Sequence, residues 1–181
     1  MINYSYDKIK SSICETYEKS IEKLDLKRTK CPNCGAIGQF KAHGDYERHV
    51  IVLIDEKVQH EIIRIKRVKC LSCCRTHALL PSFIIPYCSY TYSFILKCLE
   101  ERVINRVKLV EVCEQYDISF QLLYSWLRRF KEHHVQSFLV YERGRLSLKE
   151  TLVQNPLDFP SFIIHFYQEH GYPFMQIIRS P

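Results

Sequence analysis

The chain has 181 residues, 46% of them apolar and 25% charged, with a net charge of +6 at pH 7. That balance suits one compact domain or two small ones sharing a core and excludes a disordered chain; no apolar run approaches the ~18 residues that span a bilayer, so no membrane partner is expected. The 9 cysteines are an odd number in a chain with no apolar leader, which predicts a reducing, cytoplasmic location and metal ligation in preference to a disulfide framework.

Residues 1–28 predict an amphipathic N-terminal helix. Ile9, Ile13, Tyr17, Ile21 and Leu24 recur at helical spacing on one stripe, with Lys8, Glu15, Glu18 and Lys23 mostly off it.

Over residues 29–80 the period becomes extended. YERHVIVLI (46–54) and EKVQHEIIRIKRVKC (56–70) are rich in Val and Ile, with Asp55 and Glu56 between them as a turn, so a β-hairpin is predicted. In its second strand Ile63 and Ile65 alternate with Arg64 and Lys66, giving an apolar and a cationic face. The phase breaks at Arg67 and Val68, which predicts a bulge there.

Two Cys-x-x-Cys pairs flank this hairpin, Cys31 with Cys34 in KCPNCGAIG and Cys70 with Cys73 in KCLSCCRTH. A tight turn carrying such a pair directs two thiolates to one point. A hairpin brings two such turns together, giving the closed tetrahedral sulfur site that zinc prefers. Pro32 stiffens the first loop and Gly35 permits its turn. In the second loop Cys74 stands where a small turn residue is expected, and is an alternative ligand to Cys73. Four thiolates leave zinc no open position for a water, so the Zn2+ is expected to be structural and the protein not to be an enzyme. His43 and His77 are expected to be surface or supporting groups, and Cys14, Cys98 and Cys113 small core residues.

Positive charge is concentrated in the same stretch. Residues 27–75 carry 11 basic and 5 acidic side chains, and the rest of the chain is close to balanced. An excess around the cysteine pairs is the footprint of a phosphate-backbone binder, with Arg64 and Lys66 as its expected contacts.

Residues 88–135 predict a helical unit. TYSFILKCLEERVIN (91–105) carries a helical apolar stripe. In LVEVCEQYDISFQLLYSWLRRFKEHH a short helix from about Lys108 to Tyr116 meets a turn at Asp117 and Ile118, then an N-cap at Ser119 and a second helix to about His134. This is the pattern of a helix-turn-helix, with Leu109, Val112, Cys113, Ile118, Leu122 or Leu123, Trp126, Leu127 and Phe130 as its core. The remaining face displays Phe120, Gln121, Tyr124, Ser125, Arg128 and Arg129. Placed in a major groove, Gln121 and Arg128 would read bases while Ser119 and Tyr124 contact phosphates.

EVCEQYDISFQLLYSWLRRF resembles the DNA-binding helix-turn-helix of bacterial insertion-sequence transposases. The order of cysteine loop, basic hairpin, RVKCLSCCRTHALLPSFIIP and that unit resembles their N-terminal zinc-ribbon region, and also small mobile-element-associated proteins, over about residues 29–134. The resemblance implies recognition of element-end DNA, with zinc on Cys31, Cys34, Cys70 and Cys73 and a recognition helix over 119–131. Such transposases continue into a ribonuclease-H-like domain whose carboxylates hold two magnesium ions. After residue 134 only 47 residues follow, with Glu142, Glu150, Asp158 and Glu169 as acids, so this chain is expected to lack that domain.

The tail, 136–181, predicts short helices: SLKE (147–150) is a capping box, Pro160 opens PSFIIHFYQEH, and Gly171 closes it. The expected fold is therefore α+β: a zinc ribbon followed by a helix-turn-helix, flanked by N- and C-terminal helices. The expected function is sequence-specific binding of double-stranded DNA for a transposon or insertion sequence, with a homodimer through the flanking helices or a separate transposase as further partners. The alternative is a zinc-ribbon adaptor that binds proteins of transposition or transcription machinery without reading DNA.

Overall fold

The computed structural model describes residues 1–4, 12–140, 166–167 and 170–176, the side chains of 134–140 excepted. It is a mixed α+β structure, with four strands and four helices named among the described residues, divided into two compact units, Met1–Ile84 and Ile85–Pro181. Among the described residues no helix is long and apolar enough to cross a membrane.

The first unit is built on the predicted hairpin. Strands β2 (Phe40–Ile54) and β3 (Lys57–Cys70) are antiparallel from Phe40↔Cys70 to Ile54↔Lys57. Asp55 and Glu56 both have positive φ, +48° and +60°, the geometry of a two-residue turn whose twist matches its strands. Two strands fall outside what periodicity predicts, β1 (Ile2–Tyr4) and β4 (Thr76–Pro81). β4 pairs antiparallel with β3 and parallel with β1, so the sheet order is β1-β4-β3-β2.

The N-terminal segment is therefore not a helix from its start. Helix α1 covers Ile13–Glu22 only, while Ile9 lies outside the described residues. Its N-cap Ser12 accepts from the Cys14 N–H at 3.1 Å, and Glu61 on β3 accepts from the Ser12 hydroxyl (3.1 Å) and the Ile13 N–H (3.3 Å). A strand carboxylate thus satisfies donors that the helix start would leave unpaired. Ile13 and Tyr17 pack with Val50, Val52, Ile63, Ile65, Leu80, Phe83 and Ile84. The Tyr17 hydroxyl accepts from the Lys66 N–H (2.8 Å) and donates to the Leu79 carbonyl (3.2 Å), so a side chain joins β3 to β4 where their own ladder stops.

The phase break at Arg67 and Val68 has a different cause from the one predicted. The register shift lies in β2 between Ala42 and Asp45, where Gly44 takes φ +73°, so the extra residue is on the strand opposite. β3 itself stays regular, and what changes is the covered face. Ile63 and Ile65 belong to the α1 cluster, whereas Val68, at odd separation from both, packs with Ile2, Tyr4 and Leu79.

The second unit is helical: α2 (Tyr92–Val103), α3 (Leu109–Tyr116) and α4 (Phe120–Val140). Thr91 caps α2 by accepting from the Phe94 N–H at 3.4 Å. Trp126 is fully buried at the centre, edge-on to Tyr90 and Phe94. Val112, Cys113, Ile118, Leu123 and Phe130 are buried as expected, with Leu123 and not Leu122 as the inward residue, while Leu109 and Leu127 are half-buried. Cys98 is buried too, but Cys14 is half-exposed, its thiol donating to the Ile62 carbonyl. Of the tail, the capping box at 147–150 and Pro160 lie outside the described residues. Gly171 is described: it takes φ +73°, with its N–H on the Tyr167 carbonyl at 2.9 Å. Phe166, Phe174 and Met175 are buried within this unit.

Candidate functional site

The two cysteine loops are built alike. Cys31 N–H donates to the Ala36 carbonyl (2.8 Å), and Cys70 N–H donates to the Arg75 carbonyl (2.9 Å), the same step of five residues. Each loop turns through a left-handed residue just after its second cysteine, Gly35 at φ +78° and Cys74 at φ +59°. Glycine adopts that conformation freely, whereas an L side chain there costs about 1–2 kcal/mol. This settles the choice between neighbours: Cys74 is the exposed turn residue, and Cys73 is the one gathered with Cys31, Cys34 and Cys70.

The four Sγ atoms all lie within 4.8 Å of one another and form a set able to hold a metal ion. Cys31 and Cys73 are 3.8 Å apart, Cys34 and Cys70 3.7 Å. Backbone dipoles favour charge on two of them. The Arg75 N–H holds the Cys73 thiol down to about 6, and the N–H groups of Cys73 and Ser72 draw Cys70 below its ordinary value. At Cys34 the N–H of Ala36 acts the same way, but desolvation and the three neighbouring sulfurs together push it up to about 12. Lowered thiols at Cys73 and Cys70 favour the thiolate form that a cation binds, with release of protons.

His77 supports the set from outside it, as expected. It is buried, with Nε2 3.4 Å from Cys31 Sγ and Nδ1 3.0 Å from the α-amino nitrogen of Met1. With that ammonium donating to Nδ1, the Nε2–H points at the sulfur and orients it. His43 is an exposed residue of β2.

The hairpin's polar face is less cationic than its sequence suggests. Arg64 lies 3.8 Å from both Asp45 and Glu47 on β2, and Lys66 stands opposite Asp45 in the register. Alternation along β3 alone could not show what β2 places across from it.

Helix α3 ends at Asp117, left-handed at φ 49°, whose N–H reaches back to the Cys113 carbonyl. Ile118 then turns inward and the Ser119 hydroxyl accepts from the Leu122 N–H at 3.3 Å, starting α4. Four of the predicted contact residues share the outer side of α4: Phe120 and Tyr124 are 43% and 59% exposed, and Gln121 and Arg128 are exposed beside them. Arg128 is loosely paired with Glu132 at 3.8 Å.

Arg129 does not belong to that face. It is 8% exposed, and its guanidinium donates to the Met175 carbonyl (3.1 Å), the Ser125 hydroxyl (2.8 Å) and the Ser125 carbonyl (3.3 Å). Ser125, half-buried, is thereby also committed inward. One turn on, His133 accepts the Met175 N–H on Nδ1 at 2.8 Å, so two side chains of α4 hold both backbone groups of one tail residue. The Tyr92 hydroxyl adds a hydrogen bond to the Phe174 carbonyl. Desolvation first, then the charge of Arg129, depress His133 to about 4. Periodicity placed Arg129 one step from Arg128 on a polar arc; the tail that it meets is 46 positions away.

Residues 31–115 match the family model described as a domain of unknown function (DUF6431), a stretch that opens on the first of the four cysteines and ends inside α3. No curated protein and no solved structure matches the chain.

Proposed function

We propose that this chain is a sequence-specific double-stranded DNA-binding protein of the kind associated with insertion sequences and transposons, acting by binding and not by chemistry. In this reading the four cysteines hold a structural Zn2+ that makes the hairpin a zinc ribbon, and α3, the turn at Asp117 and α4 form a helix-turn-helix whose second helix enters the major groove. Zinc fits the sulfurs: a tetrahedron with zinc–sulfur bonds of about 2.3 Å has edges of about 3.8 Å, and Cys31–Cys73 and Cys34–Cys70 stand at 3.8 and 3.7 Å. Zinc bound there completes its coordination with thiolates, so the residues' part is to fix the ribbon's loops.

One observation carries the DNA reading. A short helix, a left-handed turn and a capped second helix leave Phe120, Gln121, Tyr124 and Arg128 outward while Leu123, Trp126 and Phe130 are buried behind them. Gln pairs with adenine and Arg with guanine edges in a major groove, and aromatic rings contact thymine methyls or phosphates. The test is selection from random duplexes with the zinc-loaded full chain, expected to enrich one motif at moderate salt. Gln121→Ala and Arg128→Ala should then each weaken the preferred site by about 1–3 kcal/mol and relax preference at one position. Absence of an enriched motif sinks the reading.

The adaptor reading is favoured by a different observation. Val110, Phe120 and Tyr124, all large and apolar, are exposed in the same helical unit. Salt-insensitive capture of a protein partner that Phe120→Ala abolishes, with duplex binding absent, would select it.

A further inference from the structure

We infer that the phosphate-binding surface of the first unit is not the Arg64 face but the opposite face of the sheet beside the cysteine loops, where Lys41, Lys69 and Arg67, with Thr76, take the backbone phosphates of duplex DNA. The inference rests on the DNA-binding reading and adds a site to it.

The register assembles these residues. Lys41 on β2 pairs with Lys69 on β3, and Lys69 pairs with Thr76 on β4, so the three lie in one row across the sheet. Arg67, two residues from Lys69, shares its face, and the residue opposite Arg67 on β4 is the small Ala78. Directly paired residues bring their Cβ atoms to about 4.5–5.5 Å, and two like charges so placed repel. Among the described residues no carboxylate pairs with Lys41, Arg67 or Lys69, and the buried Nε of Arg67 has no hydrogen-bond partner. The thiolates are not the missing counter-charge, because Cys70 follows Lys69 and therefore points to the other side of the strand. On that other side Arg64 already has Asp45 and Glu47.

The contrast identifies the occupant. Cations matched by acids make a solvated, neutral surface, whereas three cations with no acid partner among the described residues, beside an exposed hydroxyl, fit an anion with several acceptor oxygens. Phosphates spaced along a duplex backbone supply such oxygens to more than one of the three at once.

The test is the salt dependence of duplex affinity, measured with the zinc-loaded full chain on its selected site and on an unrelated duplex. Each phosphate contact contributes about 0.9 to the slope of log affinity against log salt, so Lys41→Gln with Arg67→Gln and Lys69→Gln should lower it by roughly 2–3 on both duplexes. Arg64→Gln should leave it unchanged, and Lys41→Arg should keep the wild-type value. Metal content checks that the triple variant keeps its cysteine site. Lys41→Glu guards against a merely structural effect: placed opposite Lys69 it should raise the melting temperature at low salt and still reduce the slope. An unchanged slope in the triple variant, or an equal loss in Arg64→Gln, overturns this site and leaves the DNA reading standing. Failure of the wild type to bind any duplex overturns both.

Discussion

The two units reach a buried core by different routes. In the first, apolar residues divide between a cluster around Ile13 and Tyr17 of α1 and a smaller one of Ile2, Tyr4, Val68 and Leu79, with Ile21 packed against both. In the second, Trp126, Phe94, Phe166 and Phe174 are all buried to 1% or less, and Phe94 meets Trp126, and Phe166 meets Phe174, through ring edges. On the proposed reading, a metal held by Cys31, Cys34, Cys70 and Cys73 would add to what the small cluster beside these loops contributes. Such a metal would matter to the first unit, Met1–Ile84, and not to the second.

Removing the metal should have the largest effect. A structural zinc contributes about 10–16 kcal/mol in small zinc-binding domains, so a chelator, or Cys31→Ser, should unfold the first unit. The chain's one tryptophan, Trp126, is in the second unit, and its emission should stay that of a buried indole. Amide exchange lost from β2 and β3 with unchanged Trp126 emission is the expected pair of results; loss of both signals together would break the division.

Truncating the aromatic core should do the reverse. Trp126→Ala or Phe174→Ala should cost about 3–5 kcal/mol in the second unit and leave metal content at the wild-type level. Acid acts on the same unit. His133 ionises near 6.5 when unfolded but only near 4 when folded, so the unfolded chain takes up the proton first. Its contribution is complete above about 6.5 and is lost as pH falls from there toward 4. Thermal melts followed at Trp126 should show that loss, and His133→Gln should flatten it.

Smaller effects belong to the first unit. Tyr17→Phe leaves the Lys66 N–H and Leu79 carbonyl without their partner, at a cost of about 1–3 kcal/mol in denaturant titrations followed by β-sheet circular dichroism. Smallest is the asymmetry between the two loops. Cys74→Gly should retain the metal and add about 1 kcal/mol, because glycine relieves the left-handed strain at φ +59°, whereas Cys73→Ser should lose the metal.

What was legible in the sequence was what short segments decide. The hairpin with its turn at Asp55 and Glu56, the two cysteine loops and the helices around Trp126 all follow from spacing and turn chemistry within about ten residues. Distant partners decide the rest. β1 has three residues and becomes a strand only against β4, more than 70 positions on. The break at Arg67 resembled a bulge because a strand covered first on one face and then on the other loses its alternation. Arg129 was placed on the polar arc of α4 because its true partner, the Met175 backbone, comes from the tail.

The most direct measurement is elemental analysis of the purified full chain combined with alkylation of its exposed thiols. The account predicts one zinc ion per chain, none in Cys34→Ser, and a Cys34 that is protected while Cys74 reacts, although both are exposed. A folded wild-type chain with no bound metal and equal reaction at Cys34 and Cys74 would contradict it.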